Sequence, residues 1–233
     1  MSEFKDAIDF IFHSRESLTG GVRVGGAEMW TLLWKHLELS AAALGLACVI
    51  AVPLGLWLGH IRRGEFFAIS TSNIGRAVPT LALIAFFIAY FGVGFVNVML
   101  ALMLLAIPPI LTNTYVGVTQ VDADTVDAAR GVGMTGTQIV RRVELPLALP
   151  IIFGGIRVSA VNVIATATIA PLAGVVTLGN PIINAQVYGN AGRLGAAIVV
   201  AVVAVAADAG FAVLQRAVTP RALRLATRRI ETA

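Results

Sequence analysis

Two oppositely charged residues lie inside otherwise apolar stretches, and their side chains are the ones best placed to do chemistry. Arg157 follows FGGI and precedes VSAV, while Asp208 follows VAVAA and precedes AGFAV. Ionisable groups are costly in hydrocarbon, and where they occur they often form proton or ion relays. Packing inside a helical bundle or near its cytoplasmic edge, as separate residues or as a pair, is the alternative, and it is the interpretation we favour. Counting residues along the predicted helices places the two side chains at different depths, which argues against a direct pair.

Residues that commonly bind metals are isolated in this chain. Cys48 is the single cysteine and sits in an apolar run, so no disulfide framework or thiolate metal site is expected. The histidines show no ligand spacing: His13, His36 and His60. We therefore predict neither a metal site nor a catalytic residue.

Glycines that spell GxGxxG do not predict a nucleotide site here. Gly131, Gly133 and Gly136 have the right spacing, but no strand precedes them and no acidic residue follows at the required distance. The phosphate-binding pattern GxxxxGK[ST] is also missing from the sequence. The chain is therefore expected to carry no cofactor, and any ATP hydrolysis would belong to another chain.

The composition is that of an integral membrane protein. Hydrophobic residues make up 58% of the chain and charged residues 13%, against about 25% charged in soluble domains. From Ala77 to Val121 there is no Asp, Glu, Lys or Arg. A span needs roughly 20 apolar residues, so this stretch holds two helices that turn near residues 92–97. The net charge of +4 fits basic cytoplasmic loops better than nucleic-acid binding.

The hydropathy pattern predicts an all-α, polytopic transmembrane bundle of about five spans. Proline, glycine and asparagine interrupt residues 174–192, which favours a re-entrant or interfacial connection over a sixth span. The predicted spans cover about residues 39–59, 78–91, 96–115, 147–173 and 194–213.

The distribution of Lys and Arg predicts an outside N-terminus. With five spans, the cytoplasmic side receives Arg62 and Arg63, the segment with Arg141 and Arg142, and the arginine-rich C-terminus. A sixth span would strand the C-terminal arginines outside. Residues 122–146 are thus expected in the cytoplasm.

Three regions follow from this reading. Residues 1–35 form an N-terminal segment, 36–216 the transmembrane domain with its polar segment 122–146, and 217–233 a basic cytoplasmic tail. The N-terminal segment opens with no basic region followed by an apolar one, unlike a signal peptide. One predicted helical face there is apolar, which is typical of an interfacial helix and equally compatible with a solvent-exposed one: Phe4, Ile8, Ile11 and Phe12.

The polar segment has the features of a docking element between spans. Asp124 or Thr125 is available to cap a short helix that contains Asp127. Glycines follow and permit a sharp turn, and Pro146 stands at the first turn of the next span, where a helix tolerates it. An ordinary charged loop is the alternative, and composition alone gives it equal weight.

The spacing of this segment resembles the EAA motif of ABC-importer permeases. That motif has Glu-Ala-Ala, a glycine four residues after the second alanine, and a hydrophobic-x-Leu-Pro ending separated from this glycine by nine residues. The resemblance implies a type I ABC-importer permease fold and a short helix that docks in a groove of a cytoplasmic ATPase. Asp replaces Glu and Val replaces Ile in this chain. The residues that match, and to which the ATPase-coupling role carries over, are Asp127, Ala128, Ala129, Gly133, Leu145 and Pro146.

The likeness extends from about residue 31 to residue 214 and narrows to the osmoprotectant branch of these permeases. The stretches PPILTNTYVGVTQVDADTVDAARGVGMT and VELPLALPIIFGGIR resemble those of glycine betaine, choline and carnitine permeases. One departure is LAGVVTLGN, where the relatives carry a glycine-rich GAGGLG stretch. That difference bears on substrate identity and gating.

Aromatic residues near residue 90 have two interpretations. Phe86 and Phe87 each lie four residues before another aromatic residue, and such faces bind quaternary ammonium ions by cation–π attraction. An aromatic belt at the membrane boundary explains them without a ligand, and we favour it. Candidate residues of a substrate path are Phe87, Tyr90 and Asn162.

The sequence therefore predicts a permease subunit without enzymatic activity in the bacterial cytoplasmic (inner) membrane, where it crosses several times. The resemblance implies import of a compatible solute such as glycine betaine, choline or carnitine. It also implies partners: ATPase subunits that bind ATP and Mg, a second identical or homologous permease, an extracytoplasmic binding protein and membrane lipid, but no nucleic acid. An amino-acid or methionine ABC permease, an ion-coupled secondary transporter that uses Arg157 and Asp208, and a membrane scaffold remain as alternatives.

Overall fold

The protein is almost entirely helical in the residues that the structure describes. A computed structural model describes residues 2–66, 70 and 79–219. Within them, the β-structure consists of one small antiparallel hairpin of β1 (Ser14–Glu16) and β2 (Arg23–Gly25). The prediction of an all-α, polytopic bundle is confirmed, and the hairpin is an addition to it.

The helices follow the hydropathy pattern closely. Four helical runs are long and apolar enough to cross a membrane, and Thr80–Phe91 is a shorter apolar helix. The run Gly136–Ala173 is continuous but changes type, from a short α-helix through a π-helical turn at Val140–Glu144 to a long α-helix and a 3₁₀ segment at Ala167–Ala173. The helices are α1 (Ser2–Phe12), α2 (Ala27–His60), α3 (Thr80–Phe91), α4 (Phe95–Thr119), α5 (Ala123–Gly131), α6 (Gly136–Ile139), α7 (Leu145–Thr166), α8 (Gly179–Ile183) and α9 (Ala185–Val218).

The region predicted as a re-entrant or interfacial connection contains no helix long enough to span a membrane. Helix α8 has five residues. Helix α9 begins at Ala185, and its backbone leaves the helical conformation at Gly189, where φ is 69°. Because only glycine adopts such a φ at little cost, Gly189 sets the direction from which the last long helix starts.

One compact unit contains the described parts of residues 1–46, 78–106 and 160–207. Its core joins α1, the hairpin and the start of α2 to α9, through residues such as Phe10, Val24, Met29 and Tyr188. Helix α1 buries Ala7 and Phe10, while Phe4 and Phe12 are exposed. Of the predicted apolar face, Ile11 is buried together with Phe10, whereas Phe4, Ile8 and Phe12 are exposed. An interfacial helix and a solvent-exposed one both remain predictions.

The second unit contains the described parts of residues 47–77, 107–159 and 208–233. Close helix packing holds it together. A Cβ added to Gly55 of α2 would lie 2.6 Å from the Thr114 Cβ of α4, and one on Gly155 of α7 would lie 2.7 Å from the Pro109 carbonyl oxygen. Small residues permit such backbone approach between membrane helices. Most of the predicted basic tail, residues 220–233, lies outside the described residues.

Candidate functional site

The polar segment begins with a capped helix. Asp122 is the N-cap of α5, and its carboxylate accepts a hydrogen bond from the Asp124 backbone N–H at 3.2 Å. The expected caps, Asp124 and Thr125, were wrong, since both lie within the first helical turn. On the exposed side, Arg130 pairs with Asp127 at 2.9 Å, and on the other side Ala129 is buried. Helix α5 thus presents a charged face above an apolar one.

A tight turn joins α5 to α6. Gly133 has a φ of 85°, a left-handed conformation that glycine adopts without steric cost. Thr135 then starts α6 with a capping box, because its hydroxyl accepts from the Gln138 N–H and the Gln138 side chain accepts from the Thr135 N–H. The predicted change of chain direction is present at this turn.

The segment returns to the bundle through a π-helical turn. The Leu145 N–H donates to the Val140 carbonyl, five residues back. Pro146 has no N–H, so it cannot supply the usual bond to the carbonyl four residues earlier. Pro146 does stand in the first turn of α7, as predicted, but the helical run continues back to Gly136.

The buried side of the polar segment packs in an apolar cluster. Four buried residues form it: Val121, Val126, Ala129 and Ile139. Met134, Val143 and Leu147 pack against these residues. The structure therefore holds the predicted coupling residues in one folded element, with Asp127 and Ala128 exposed on α5, Gly133 in the turn, and Leu145 and Pro146 at the start of α7.

Two hydrogen bonds that sequence reasoning missed connect this element to the end of α2. His60 Nδ1 donates to Glu144 Oε2 at 2.8 Å, and Arg62 Nη2 donates to the Val121 carbonyl oxygen at 3.3 Å. Glu144 is buried, with its side chain 5% exposed, while His60 is 22% exposed. Glu144 lies within the VELP motif, but no local pattern marks His60 as its partner.

Arg157 and Asp208 form a direct ion pair with two hydrogen bonds, from Arg157 Nε to Asp208 Oδ1 and from Arg157 Nη2 to Asp208 Oδ2. The inference that their depths argue against pairing was wrong. About two helical turns further along α9, Gln215 donates to the Pro150 carbonyl of α7 at 2.7 Å. Polar side chains thus join α9 to α7 at two levels.

The family model for the binding-protein-dependent transport system inner membrane component matches residues 51–224. The chain belongs to this family. The permease is 38% identical to the glycine betaine/carnitine/choline transport system permease protein OpuCB of Bacillus subtilis, over 87% of this chain and 94% of that protein. It is 37% identical to the choline transport system permease protein OpuBB of the same organism, over 87% and 94%.

The fold of the permease is similar to that of solved ABC transporters. One inward-facing structure of the MetNI methionine ABC transporter superposes with a TM-score of 0.71 at 21% identity, covering 82% of this chain and 98% of that one. The predicted fold is confirmed by this likeness and by the family match.

The candidate substrate-path residues of the permease all belong to the first unit. Phe86 and Tyr90 are in tilted contact with ring centroids 4.6 Å apart, and Phe87 and Phe91 stack with centroids 5.7 Å apart. Tyr90 is exposed and Phe87 half-buried, while Asn162 on α7 is exposed. The aromatic pairs follow helical spacing along α3, as the sequence predicts, and both the belt and the ligand interpretation remain predictions.

The permease also buries a histidine that sequence analysis left as an isolated residue. His36 on α2 is fully buried and its Nε2 forms a 2.9 Å hydrogen bond with the Ile164 carbonyl of α7. That carbonyl stands just before α7 passes into the 3₁₀ segment. In the described residues, no group of three or more His, Cys, Asp and Glu side chains is arranged to hold a metal ion.

Proposed function

We propose that the permease forms half of the transmembrane pathway of an ATP-driven importer for a quaternary-amine compatible solute. The observation that carries this proposal is the 38% identity to the OpuCB permease, which extends over 94% of that protein. Glycine betaine, choline and carnitine are the substrate class named for it. The same likeness supports a place in the bacterial cytoplasmic membrane and an extracytoplasmic binding protein as a partner.

The polar segment is the proposed contact with the ATPase. Its exposed face carries Asp127, Ala128 and Arg130, and its buried face rests on the apolar cluster of the second unit. Because this packing is tight, a displacement of the exposed face by the ATPase would also displace the helices that pack against the buried face. ATP and Mg would bind to the partner ATPase, which would hydrolyse the nucleotide, while this chain performs no covalent chemistry.

A second permease is part of the proposal because the long helices leave much apolar surface uncovered. In the most apolar 18-residue stretch of α9, 6% of the residues are buried within the described chain. Lipid and a second permease, identical or homologous, would cover such a surface.

An ion-coupled secondary transporter is the second candidate, and the Arg157–Asp208 pair is the observation that favours it. An ion relay needs a group that releases and takes up its charge during the cycle. Both carboxylate oxygens of Asp208 accept hydrogen bonds from the Arg157 guanidinium, and this two-bond geometry supports a fixed structural pair instead.

Transport by the reconstituted complex tests the proposal. The permease is purified with its partner ATPase and second permease and reconstituted into proteoliposomes, with or without ATP on the side of the ATPase. Binding protein and radiolabelled glycine betaine, choline or carnitine are supplied on the opposite side. We expect ATP-dependent accumulation of at least one of these solutes, and this accumulation should persist when an ionophore dissipates the ion gradients. Methionine should not accumulate. Accumulation that collapses with the ionophore and ignores ATP would instead establish the secondary transporter.

A further inference from the structure

The turn after α2 contacts both ends of the polar segment. His60 bonds to Glu144, the last residue of the π-helical turn, and Arg62 bonds to the carbonyl of Val121, the residue before the N-cap of α5. The two bonds join residues 84 and 59 positions apart in the chain. Two residues of one turn therefore hold the entry and the exit of the same segment.

Burial of Glu144 and packing of His60 against α6 restrain the hydrogen bond between these two side chains. The carboxylate of Glu144 is buried, so its charge depends on its protein partner for stabilisation. The imidazole of His60 lies against the start of α6, since a Cβ added to Gly136 would be 3.1 Å from His60 Nε2. His60 is also the last residue of α2, so its bond to Glu144 is made at the C-terminal end of that helix.

Arg62 contributes strain to the same turn. Its φ of 48° makes it the non-glycine residue with a left-handed backbone in the described chain. Such a conformation costs about 1–2 kcal/mol for a residue with a side chain, and such costs concentrate at functional positions. The conformation directs the guanidinium towards the Val121 carbonyl.

The π-helical turn adds a second functional signature. π-Helical turns within α-helices occur frequently at functional sites. Here the turn ends at Glu144, so the residue that His60 holds is also the residue at which the helix changes register. A displacement of the polar segment would reach α2 through this bond.

We propose that His60 and Arg62 form a clamp, bonded to Glu144 and Val121, that makes α2 move together with the ATPase-coupling segment. Both are positioning residues: they transmit displacement of the segment to a transmembrane helix and do not themselves contact the ATPase. The clamp rests on the proposed function, because it needs an ATPase that displaces the segment.

The test compares stability with coupling in the reconstituted complex of permeases, ATPase and binding protein. His60→Ala leaves Glu144 buried without its partner, so it lowers the midpoint of thermal unfolding. The double variant His60→Ala/Glu144→Ala removes the unpaired carboxylate and returns the midpoint towards that of the unaltered protein. In both variants we expect ATP hydrolysis to continue, while the amount of solute taken up per ATP falls several-fold, because displacement of the segment no longer reaches α2 through the bond between His60 and Glu144.

Conservative variants supply the rescue. His60→Asn places an amide N–H close to the position of Nδ1 and should restore most of the uptake per ATP. Arg62→Asn keeps a residue that tolerates the left-handed backbone but is too short to reach Val121, so it should lower the ratio. Arg63→Ala changes an exposed residue of the same turn and should leave the ratio unchanged.

Two outcomes would overturn the clamp alone: a double variant with the uptake per ATP of the unaltered complex, or variants whose uptake and ATP hydrolysis fall in parallel with thermal stability. Absence of ATP-driven uptake by the unaltered complex would overturn the proposed function, and the clamp with it. The two failures are therefore distinguishable by the unaltered complex.

Discussion

The guanidinium of Arg157 on α7 and the carboxylate of Asp208 on α9 form a two-bond ion pair across 51 residues of sequence. Each charge satisfies the other in a region where neighbouring side chains are apolar. Such a pair is weak evidence for stability as a whole, but removing one member leaves an uncompensated charge.

The ion pair makes a prediction about single and double substitutions. Asp208→Ala should lower the midpoint of thermal unfolding in detergent, because Arg157 loses both of its hydrogen-bond acceptors on Asp208. Arg157→Met/Asp208→Leu should recover most of the loss, since it removes both charges together. Arg216→Ala, an exposed charge on the same helix, is the control and should have little effect. Equal losses in the single and double variants would contradict this account.

Neighbouring glycines of α7 should respond to alanine with opposite signs. A Cβ on Gly155 would lie 2.7 Å from both the Asn113 Cβ and the Pro109 carbonyl oxygen, whereas one on Gly154 meets nothing within 4 Å. Gly155→Ala should therefore destabilise the protein by about 1–3 kcal/mol through overpacking. Gly154→Ala should be neutral or stabilise by up to about 1 kcal/mol through helix propensity. Thermal unfolding of the two variants side by side measures the difference, and equal effects would refute the packing.

The turn at Gly133 makes a prediction about ATPase association. Gly133 has a φ of 85°, and a Cβ added to it would meet nothing within 4 Å. Alanine at this position therefore introduces backbone strain of about 1–2 kcal/mol but no steric clash. Gly133→Ala should weaken co-purification of the ATPase and lower ATP-coupled uptake several-fold, and Gly133→Asn should restore part of both. A secondary transporter would keep its uptake in the alanine variant.

Gly131 provides the matched control for this turn. It lies two residues earlier, without a positive φ, and an added Cβ meets nothing within 4 Å. Gly131→Ala should therefore leave ATPase association intact. If Gly131→Ala and Gly133→Ala behave alike, the left-handed turn is not what association requires.

The capping box of α6 predicts a local change in backbone protection. Thr135→Ala removes the hydroxyl that accepts from the Gln138 N–H, a loss of about 1 kcal/mol, whereas Thr135→Ser retains it. Hydrogen exchange of the amides of α6 should accelerate about fivefold in the alanine variant, the factor that this free energy corresponds to. Unchanged exchange in Thr135→Ala would show that the cap contributes nothing measurable.

Local patterns were sufficient for much of this architecture. Runs of apolar residues without charge predict where long helices lie, because a helix in hydrocarbon must satisfy its own backbone and expose apolar side chains. The turn at Gly133 and the proline at the start of α7 follow from backbone preferences of single residues. The cap of α5 was misplaced by two residues, since several neighbouring polar side chains are able to cap and only the fold selects Asp122.

Contacts between distant residues were decided by the tertiary structure. The depth estimate for Arg157 and Asp208 counted backbone positions, but helix α9 rises only about 1.5 Å per residue and an arginine side chain reaches across several such steps. His60 and Glu144 lie on separate elements, so no spacing rule connects them.

The sequence by itself determined that the chain crosses a membrane several times and carries a polar segment between its spans, because hydropathy and charge distribution depend only on the order of residues. The resemblance of that segment to the EAA motif indicated the permease family. The tertiary structure decided which buried face α1 uses, which charges pair, and that the turn after α2 holds both ends of the docking segment. These depend on which helices meet, and that is set by packing of side chains that are far apart in sequence.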